Sequence, residues 1–382
     1  MLVQGPSTST RVDRVGRVTG ASESGVKLVV EDLPVVTILM PVRNGARFIE
    51  PSLRSVLAQD YPADRLEILI LDGLSEDGTP EIIGRTWHRW TSEAKPGADG
   101  STSPSARVRL LRNPSRTVPS ALNIGLQHAT GSVIFRLDGH SEMASNYVRE
   151  CVAKLQTHPE SACVGGPSVA VGAGWVGSAY ALALRSALGA GGKTFRTLHA
   201  ARYVDTLAFG GYRREVFEQV GCFDQDLWRN QDIEFNARLR KAGRRLLLIP
   251  QTRTFYHAPE SATAILRQNY NNGYWNTRVL DRMVGVLSWR HYVPCLFVVS
   301  WVVCALMAFF LPSGKNFFTL LGASYVVACL LGSVRAATQH WRASALLLPV
   351  LFPMIHISYG VGSLIGLFQF VIHAGVRRFT AK

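Results

Sequence analysis

Three runs in the C-terminal third limit what this chain can fold into. His291 to Gly314 gives 24 residues without Lys, Arg, Asp or Glu, Asn316 to Val334 gives 19, and Ala343 to Val376 gives 34. A helix needs about 20 apolar residues to cross the bilayer core, and a helix inside a soluble core rarely runs so far without a charge. A membrane domain over 286–382 is therefore predicted, with segments at about 291–312, 316–334 and 343–376. The first two read as a hairpin turning at Pro312-Ser313-Gly314-Lys315-Asn316. Arg278, Arg282 and Arg290 precede it and Arg335 and Arg342 follow it, so the excess of basic residues on cytoplasmic flanks puts both ends in the cytoplasm. A single crossing by the last run would leave Arg377, Arg378 and Lys382 outside, against that bias. Pro349 and Pro353 break its first part, and a re-entrant piece under protein cover followed by one span would return the tail inside. Three and four segments are both open.

The remainder is basic but not dominated by charge. With 41 Lys+Arg against 27 Asp+Glu the net charge is +14, yet only 18% of the 382 residues are charged and 47% are hydrophobic, which excludes a disordered chain as well as a coiled coil or a disulfide scaffold. The six cysteines form no C-x-x-C pair and read as reduced and structural. Residues 1–31, rich in Ser, Gly, Arg and Val, lack the apolar core of a signal peptide and read as a flexible tail. On that reading residues 32–285 are cytoplasmic. The basic excess suits a domain lying against anionic lipid or one that binds phosphorylated substrates. No basic helix, zinc finger or interleaved aromatic module points to nucleic acid.

Within 32–285, short β-branched runs alternate with helical patterns. Val35 to Met40, Leu66 to Leu71, Val108 to Leu111 and Ser132 to Leu137 read as buried strands, and helices are expected after Gly45, from Glu81 and over Thr117 to Ala129. Residues 91–106 read as an inserted Ser/Gly/Pro-rich loop. The βαβ spacing implies an α/β fold with a mostly parallel sheet, and such sheets bind ligands beyond the carboxyl ends of their strands. Arg43-Asn44, Asp72, Asn113 and Asp138 with His140 all fall at those ends, which marks a nucleotide-type crevice. No Walker A or G-x-G-x-x-G sequence follows any strand, which weakens kinase and dinucleotide readings.

Asp138-Gly139-His140 sets a carboxylate and an imidazole two residues apart, on one side of an extended segment. That pair suits Mn²⁺ or Mg²⁺ bridging a diphosphate, the nitrogen ligand favouring Mn²⁺. Asp232 and Glu234 open an amphipathic helix, where acidic residues serve equally well as ordinary dipole stabilisers or as a general base. Gln268 to Trp275 is amide- and aromatic-rich and lies just before the membrane runs, as an interfacial belt does or a sugar-stacking surface would. Gly166 and Gly211 sit in turns where backbone can come close to a ligand.

Taken in order, Pro41-Val42-Arg43-Asn44, Asp72-Gly73-Leu74-Ser75-Glu76-Asp77-Gly78-Thr79, Asn123-Ile124-Gly125, Asp138-Gly139-His140, Gly165-Gly166-Pro167, Gly210-Gly211-Tyr212-Arg213, Asp232 and Gln268 to Trp275 resemble the membrane-associated family 2 glycosyltransferases of GT-A fold, in their succinoglycan-biosynthesis branch. The resemblance covers about 34–285 and the C-terminal helices. It implies that Pro41, Arg43 and Asp72 hold a nucleotide base, with Asn44 and Asn113 beside the donor. Asp138 and His140 are then the metal and diphosphate ligands and Asp232 the catalytic base, with Gly166, Gly211, Gln268 and Trp275 on the acceptor side. Gln231 stands where the family usually has Glu, and Gln268 and Trp275 match its Q-x-x-R-W stretch with a longer gap and no Arg between. That departure favours single-sugar transfer over processive synthesis. The implied reaction moves a sugar, with inversion, from a nucleotide-sugar donor of UDP type to a polyprenyl-diphosphate-linked glycan in exopolysaccharide or cell-surface polysaccharide synthesis. It would take place at the cell membrane, beside other polysaccharide-assembly proteins. A processive synthase and a catalytically silent scaffold of an export complex are the alternatives. A transporter fits poorly, since the membrane runs carry little polarity beyond His356, Ser358, Gln369 and His373.

Overall fold

A computed structural model describes residues 33–93, 106–190, 200–280, 287–340 and 343–380. The expected N-terminal tail and most of the expected inserted loop lie outside these residues.

The first half alternates as the apolar runs require. In chain order come β1 (Val36–Val42), α1 (Ile49–Leu57), β2 (Leu66–Asp72), α2 (Thr79–Glu93), β3 (Arg107–Arg112), α3 (Val118–His128) and β4 (Val133–Arg136). Every residue of β1, β2 and β4 is buried, as expected of strands covered on both faces. Residues 91–93, expected as loop, continue α2. The chain goes on with β5 (Ser141–Met143), α4 (Tyr147–Thr157), β6 (Ser161–Gly165), β7 (Ser168–Val171), α5 (Gly174–Arg185), α6 (Ala187–Ala190), β8 (Arg202–Tyr203), β9 (Gly211–Arg213), α7 (Glu215–Val220), α8 (Gln231–Lys241), β10 (Arg245–Leu248), β11 (Thr254–His257) and α9 (Ala262–Arg278).

Eight strands form one sheet in the order β3-β2-β1-β4-β9-β6-β10-β8. The run β3-β2-β1-β4 is parallel, β9 reverses between β4 and β6, and β8 is an antiparallel edge. The parallel order turns outward on either side of β1, so the carboxyl ends of β1, β2 and β4 flank one crevice. A second sheet has the order β5-β11-β7, and Tyr256 on β11 meets the ring of His140, just beyond β4. Behind the main sheet, Leu39, Leu69, Leu122, Phe217, Phe223, Phe235 and Leu248 share one core. There Phe217 stacks on Phe235 at 4.9 Å, which fixes α7 against α8.

Three C-terminal helices are long and apolar enough to cross a membrane: α10 (Val293–Phe310), α11 (Gly314–His340) and α12 (Leu348–Thr380). α10 and α11 meet at the expected hairpin turn and bare Phe309, Phe310, Leu320 and Leu331 on their outer faces. The proline break expected in the last run is absent, since Pro353 lies inside α12, which follows a short 3₁₀ turn at Ala343–Leu347. α12, together with part of α11, packs against the α/β domain. Tyr180 and Leu182 of α5 and Ile265 of α9 share a core with Cys329, Leu348, Phe352 and Ile355. His356 bridges the Tyr325 hydroxyl at 2.8 Å and the Leu188 carbonyl at 3.0 Å, so this polar group of an apolar helix ties helices together.

Candidate active site

The crevice wall at the ends of β1 and β2 is built from turns that satisfy their own backbone. Asn44, in the left-handed region at φ 49°, accepts the Glu76 N–H on Oδ1 at 2.9 Å, and its own N–H donates to Ser75 Oγ at 2.8 Å. The Gly45 and Ala46 N–H groups donate to Thr79 Oγ1 and Asp77 Oδ2 at 2.9 and 3.0 Å. The loops after β1 and β2 are therefore sewn into one wall. Asp72 is buried at the end of β2, accepts the Ser75 N–H at 3.1 Å on its carboxylate, and accepts the Asn113 N–H at 2.8 Å on its carbonyl. Asn113 is a staple: its Nδ2 donates to the Thr117 carbonyl at 2.8 Å, while its buried Oδ1 has no partner among the described residues. The Pro41 carbonyl accepts the Gly139 N–H at 3.2 Å, which brings the β1 and β4 ends together. Arg43 is exposed at the crevice mouth, its stem lying against Gly73.

At the end of β4 the chain gathers the charges. Arg136 and Asp138 form a fork: Nε donates to Oδ1 and Nη2 to Oδ2, each at 3.0 Å. The remaining nitrogen, Nη1, points to Asp232 Oδ2 at 3.7 Å, too far for a hydrogen bond, and is buried without another partner among the described residues. Asp232 arrives on the first turn of α8, directed by Asn230 at φ 60°. The N-cap residue Asn230 makes no side-chain cap bond, and Asp232 Oδ1 accepts the Ile233 N–H at 3.0 Å, so the carboxylate also serves the helix N-terminus. Glu234 is committed elsewhere, in an ion pair with Arg238 at 2.7 Å. Burial raises the Asp232 carboxyl above its ordinary pKa, Arg136 opposes that rise and Asp138 adds to it. Burial also lowers the His140 pKa, with Asp138 opposing, so its ring is neutral and able to ligate a metal. The ring lies edge-on to Tyr256 at 5.3 Å.

A carboxylate and a neutral imidazole at one strand end fit Mn²⁺ or Mg²⁺. Among the described residues no cluster of three or more His, Cys, Asp and Glu occurs; Asp138 and His140 are the pair that would hold such an ion, with oxygen ligands from elsewhere.

The glycines read as acceptor contacts are closed by protein. A Cβ on Gly166 would lie 2.3 Å from the Thr252 carbonyl oxygen, and one on Gly211 would lie 2.4 Å from the Phe135 ring. Gln268 is also occupied: Oε1 accepts the Tyr256 hydroxyl at 3.0 Å. Trp275 remains open to a ligand, stacked on Trp228 with ring centroids 6.0 Å apart and planes 12° from parallel. Trp228 is 61% exposed and sits just ahead of the helix carrying Asp232. Sequence reasoning passed over Trp228 and Arg136, and for Arg136 the signal was a charge inside the apolar strand Val133-Ile134-Phe135.

Residues 37–221 match the family model described as glycosyl transferase family 2. The chain is 23% identical over 332 residues, 85% of this chain and 95% of the other, to a Methanococcus voltae protein named dolichyl N-acetyl-alpha-D-glucosaminyl phosphate 3-beta-D-2,3-diacetamido-2,3-dideoxy-beta-D-glucuronosyltransferase. It is 27% identical over 243 residues, 62% of this chain and 67% of the other, to the succinoglycan biosynthesis protein ExoA of Rhizobium meliloti. Among solved structures, the mannosyltransferase PcManGT of Pyrobaculum calidifontis, in complex with GDP-Man and Mn²⁺, has the same fold with TM-score 0.54 at 19% identity, covering 89% of this chain and 88% of that one.

Proposed function

Because the chain is a glycosyltransferase built on a family 2 domain, we propose that it transfers one sugar, with inversion, from a nucleotide-sugar donor of UDP type to a polyprenyl-diphosphate-linked glycan in exopolysaccharide or cell-surface polysaccharide synthesis. One observation carries this reading: Asp138, beside a candidate metal ligand, and Asp232, on a separate helix, face a single guanidinium from either side. A donor diphosphate and an acceptor hydroxyl need two such carboxylates at one place. The names of the relatives support the acceptor class, since one acts on a dolichyl-linked sugar phosphate and another serves succinoglycan biosynthesis.

In this mechanism Arg43 and Asp72 hold the nucleotide base in the crevice between the β1 and β2 ends, on the wall sewn by Asn44. Asp138 and His140 hold a divalent ion, Mn²⁺ or Mg²⁺, whose charge stabilises the leaving diphosphate when bound. Asp232 accepts the proton of the acceptor hydroxyl. The freed oxygen pair attacks the anomeric carbon as its bond to the diphosphate oxygen breaks, and that electron pair leaves with the nucleoside diphosphate. A single displacement turns an α-linked donor into a β-glycoside. Trp275 and Trp228 form the aromatic face on which the acceptor sugar stacks. α10, α11 and α12 anchor the domain on the cytoplasmic side as a multi-pass assembly, where the acceptor lipid lies. The looser match at Gln268 and Trp275 favours one sugar per encounter.

Nucleotide release from a panel of UDP- and GDP-sugars tests the reading, with the full chain in detergent, Mn²⁺ and a bacterial lipid extract present. One donor is expected to turn over, and Asp138→Ala is expected to abolish its turnover. No turnover with any donor, together with no metal-dependent donor binding, would instead favour a silent scaffold.

A further inference from the structure

Arg136 is a buried cation at the site and has no part in the chemistry above. Only a tenth of its side chain is exposed, yet it carries a full charge on the central strand next to β1. Burying a guanidinium is costly unless its donors are paired. Two of its donors form a fork with Asp138, an arrangement that binds a carboxylate strongly and with fixed geometry. The third nitrogen, Nη1, has no hydrogen-bond partner among the described residues and faces Asp232 across the gap at 3.7 Å.

This arrangement bears on how a dication enters. Both Asp138 oxygens already accept from Arg136, so an ion that uses Asp138 must share it with a cation only a few ångströms away. Across the gap, two ionised carboxylates and one guanidinium sum to −1. A divalent ion alone would bring the sum to +1 beside a buried guanidinium. The same ion together with a diphosphate diester of charge −2 restores −1, and a diphosphate oxygen gives Nη1 the acceptor it lacks. We propose that Arg136 is a positioning residue that couples the two events: it occupies Asp138 in the free enzyme, disfavours metal without nucleotide, and on their joint arrival turns Nη1 to the diphosphate. This rests on the reading of Asp138 as a metal ligand given above.

The test is Mn²⁺ binding to the full-length protein in detergent, read as loss of the free-ion electron paramagnetic resonance signal, with no turnover involved. Arg136→Met removes the charge at similar length, Arg136→Lys keeps it, and Asp138→Ala is the control. Without nucleotide, Arg136→Met is expected to bind Mn²⁺ at least ~10-fold more tightly than the unaltered protein, the gain expected on removing a like charge at this range. Arg136→Lys is expected to stay as weak as the unaltered protein. In the unaltered protein, the best of UDP, GDP and dTDP is expected to tighten Mn²⁺ binding by a similar factor once the Mn²⁺ held by the same nucleotide without protein is subtracted, a measurement that needs no variant to fold. A structural role alone predicts no gain of metal affinity. Equal Mn²⁺ binding with and without every nucleotide, or an Arg136→Met protein that folds and binds no more tightly, overturns the coupling. Mn²⁺ binding that survives Asp138→Ala would instead overturn the metal-site reading, so the two failures are distinguishable.

Discussion

The turns that close β1 and β2 and the helix that runs from Ala262 to Arg278 both carry a dense set of polar groups beside the site, and they satisfy them differently. In the turns, most bonds run between the loops after β1 and β2, 31–32 residues apart in sequence but side by side at neighbouring strand ends, and pair a side chain of Asn44, Ser75 or Asp77 with backbone N–H groups of the facing loop. The wall they form needs only the sheet beneath it. In α9 the partners lie far along the chain, on α12. Asn276 Nδ2 donates to the Tyr359 hydroxyl at 2.6 Å, Thr277 Oγ1 to the Ser363 carbonyl at 2.7 Å, and the Tyr274 hydroxyl to Gln369 Oε1 at 2.6 Å. Glycines bring the backbones close enough: a Cβ on Gly273 would lie 2.0 Å from the Tyr359 carbonyl oxygen, and one on Gly366 would lie 2.3 Å from that of Tyr274. Small residues at a helix contact are how helices associate in membranes, where burial of apolar surface gives little drive. The wall at the β1 and β2 ends is thus held by two facing loops of one sheet, whereas α9 is held by close contact with the long apolar helix α12.

Truncation breaks this contrast most severely. Removing residues 287–382 would bare the α5 and α9 faces that share a core with α12, and no soluble folded monomer is expected by gel filtration and circular dichroism. A donor half that folded alone with α9 still helical would refute the shared core. Acidification comes next. Only ionised Asp232 can take a proton, and burial raises its pKa against Arg136 and together with Asp138. Turnover should therefore fall on acidification at a pH above the ordinary carboxylate range, by about tenfold per pH unit on the limb, and a limb at the usual carboxylate pH would contradict that burial. Gly273→Val should force α9 away from α12 and cost about 2–3 kcal/mol, read as a lower unfolding temperature in detergent. Asn44→Ala, which loses the bond to the Glu76 N–H and strains a left-handed residue, should cost about 1–2 kcal/mol and raise the donor KM without changing the unfolding of α9. Gly84→Ala is the smallest change: nothing lies within 4 Å of the new methyl on an exposed helix position, and a gain of about 0.5–1 kcal/mol is expected.

The same contrast explains what could be read from sequence. The first four strands, their helices and the polar residues at their ends are local patterns, and β1 to β4 fall within two residues of the apolar runs that announce them. Asp138 and Asp232 were legible as types of residue, but their meeting at Arg136 depends on β9 reversing between β4 and β6, and Gly211-Tyr212-Arg213 is too short to signal a strand. Gln268 looked available because nothing in the sequence links it to Tyr256 or α5. Gly166 and Gly211 looked like ligand approaches because sequence shows that a glycine is there, not which atom fills the space beside it. Pro353 looked like a break, but a proline is tolerated in a membrane helix whose neighbours satisfy the freed backbone.

The central claim is that Asp232 acts on the acceptor while Asp138 acts on the donor, from opposite sides of Arg136. The most direct measurement is Asp232→Asn in the full chain, assayed for donor binding and for sugar transfer to extracted lipid in the same preparation. Donor binding within about twofold of the unaltered protein, with transfer reduced by about 10²–10⁴ as expected for loss of a general base, is the expected result. Transfer at an undiminished rate would contradict it.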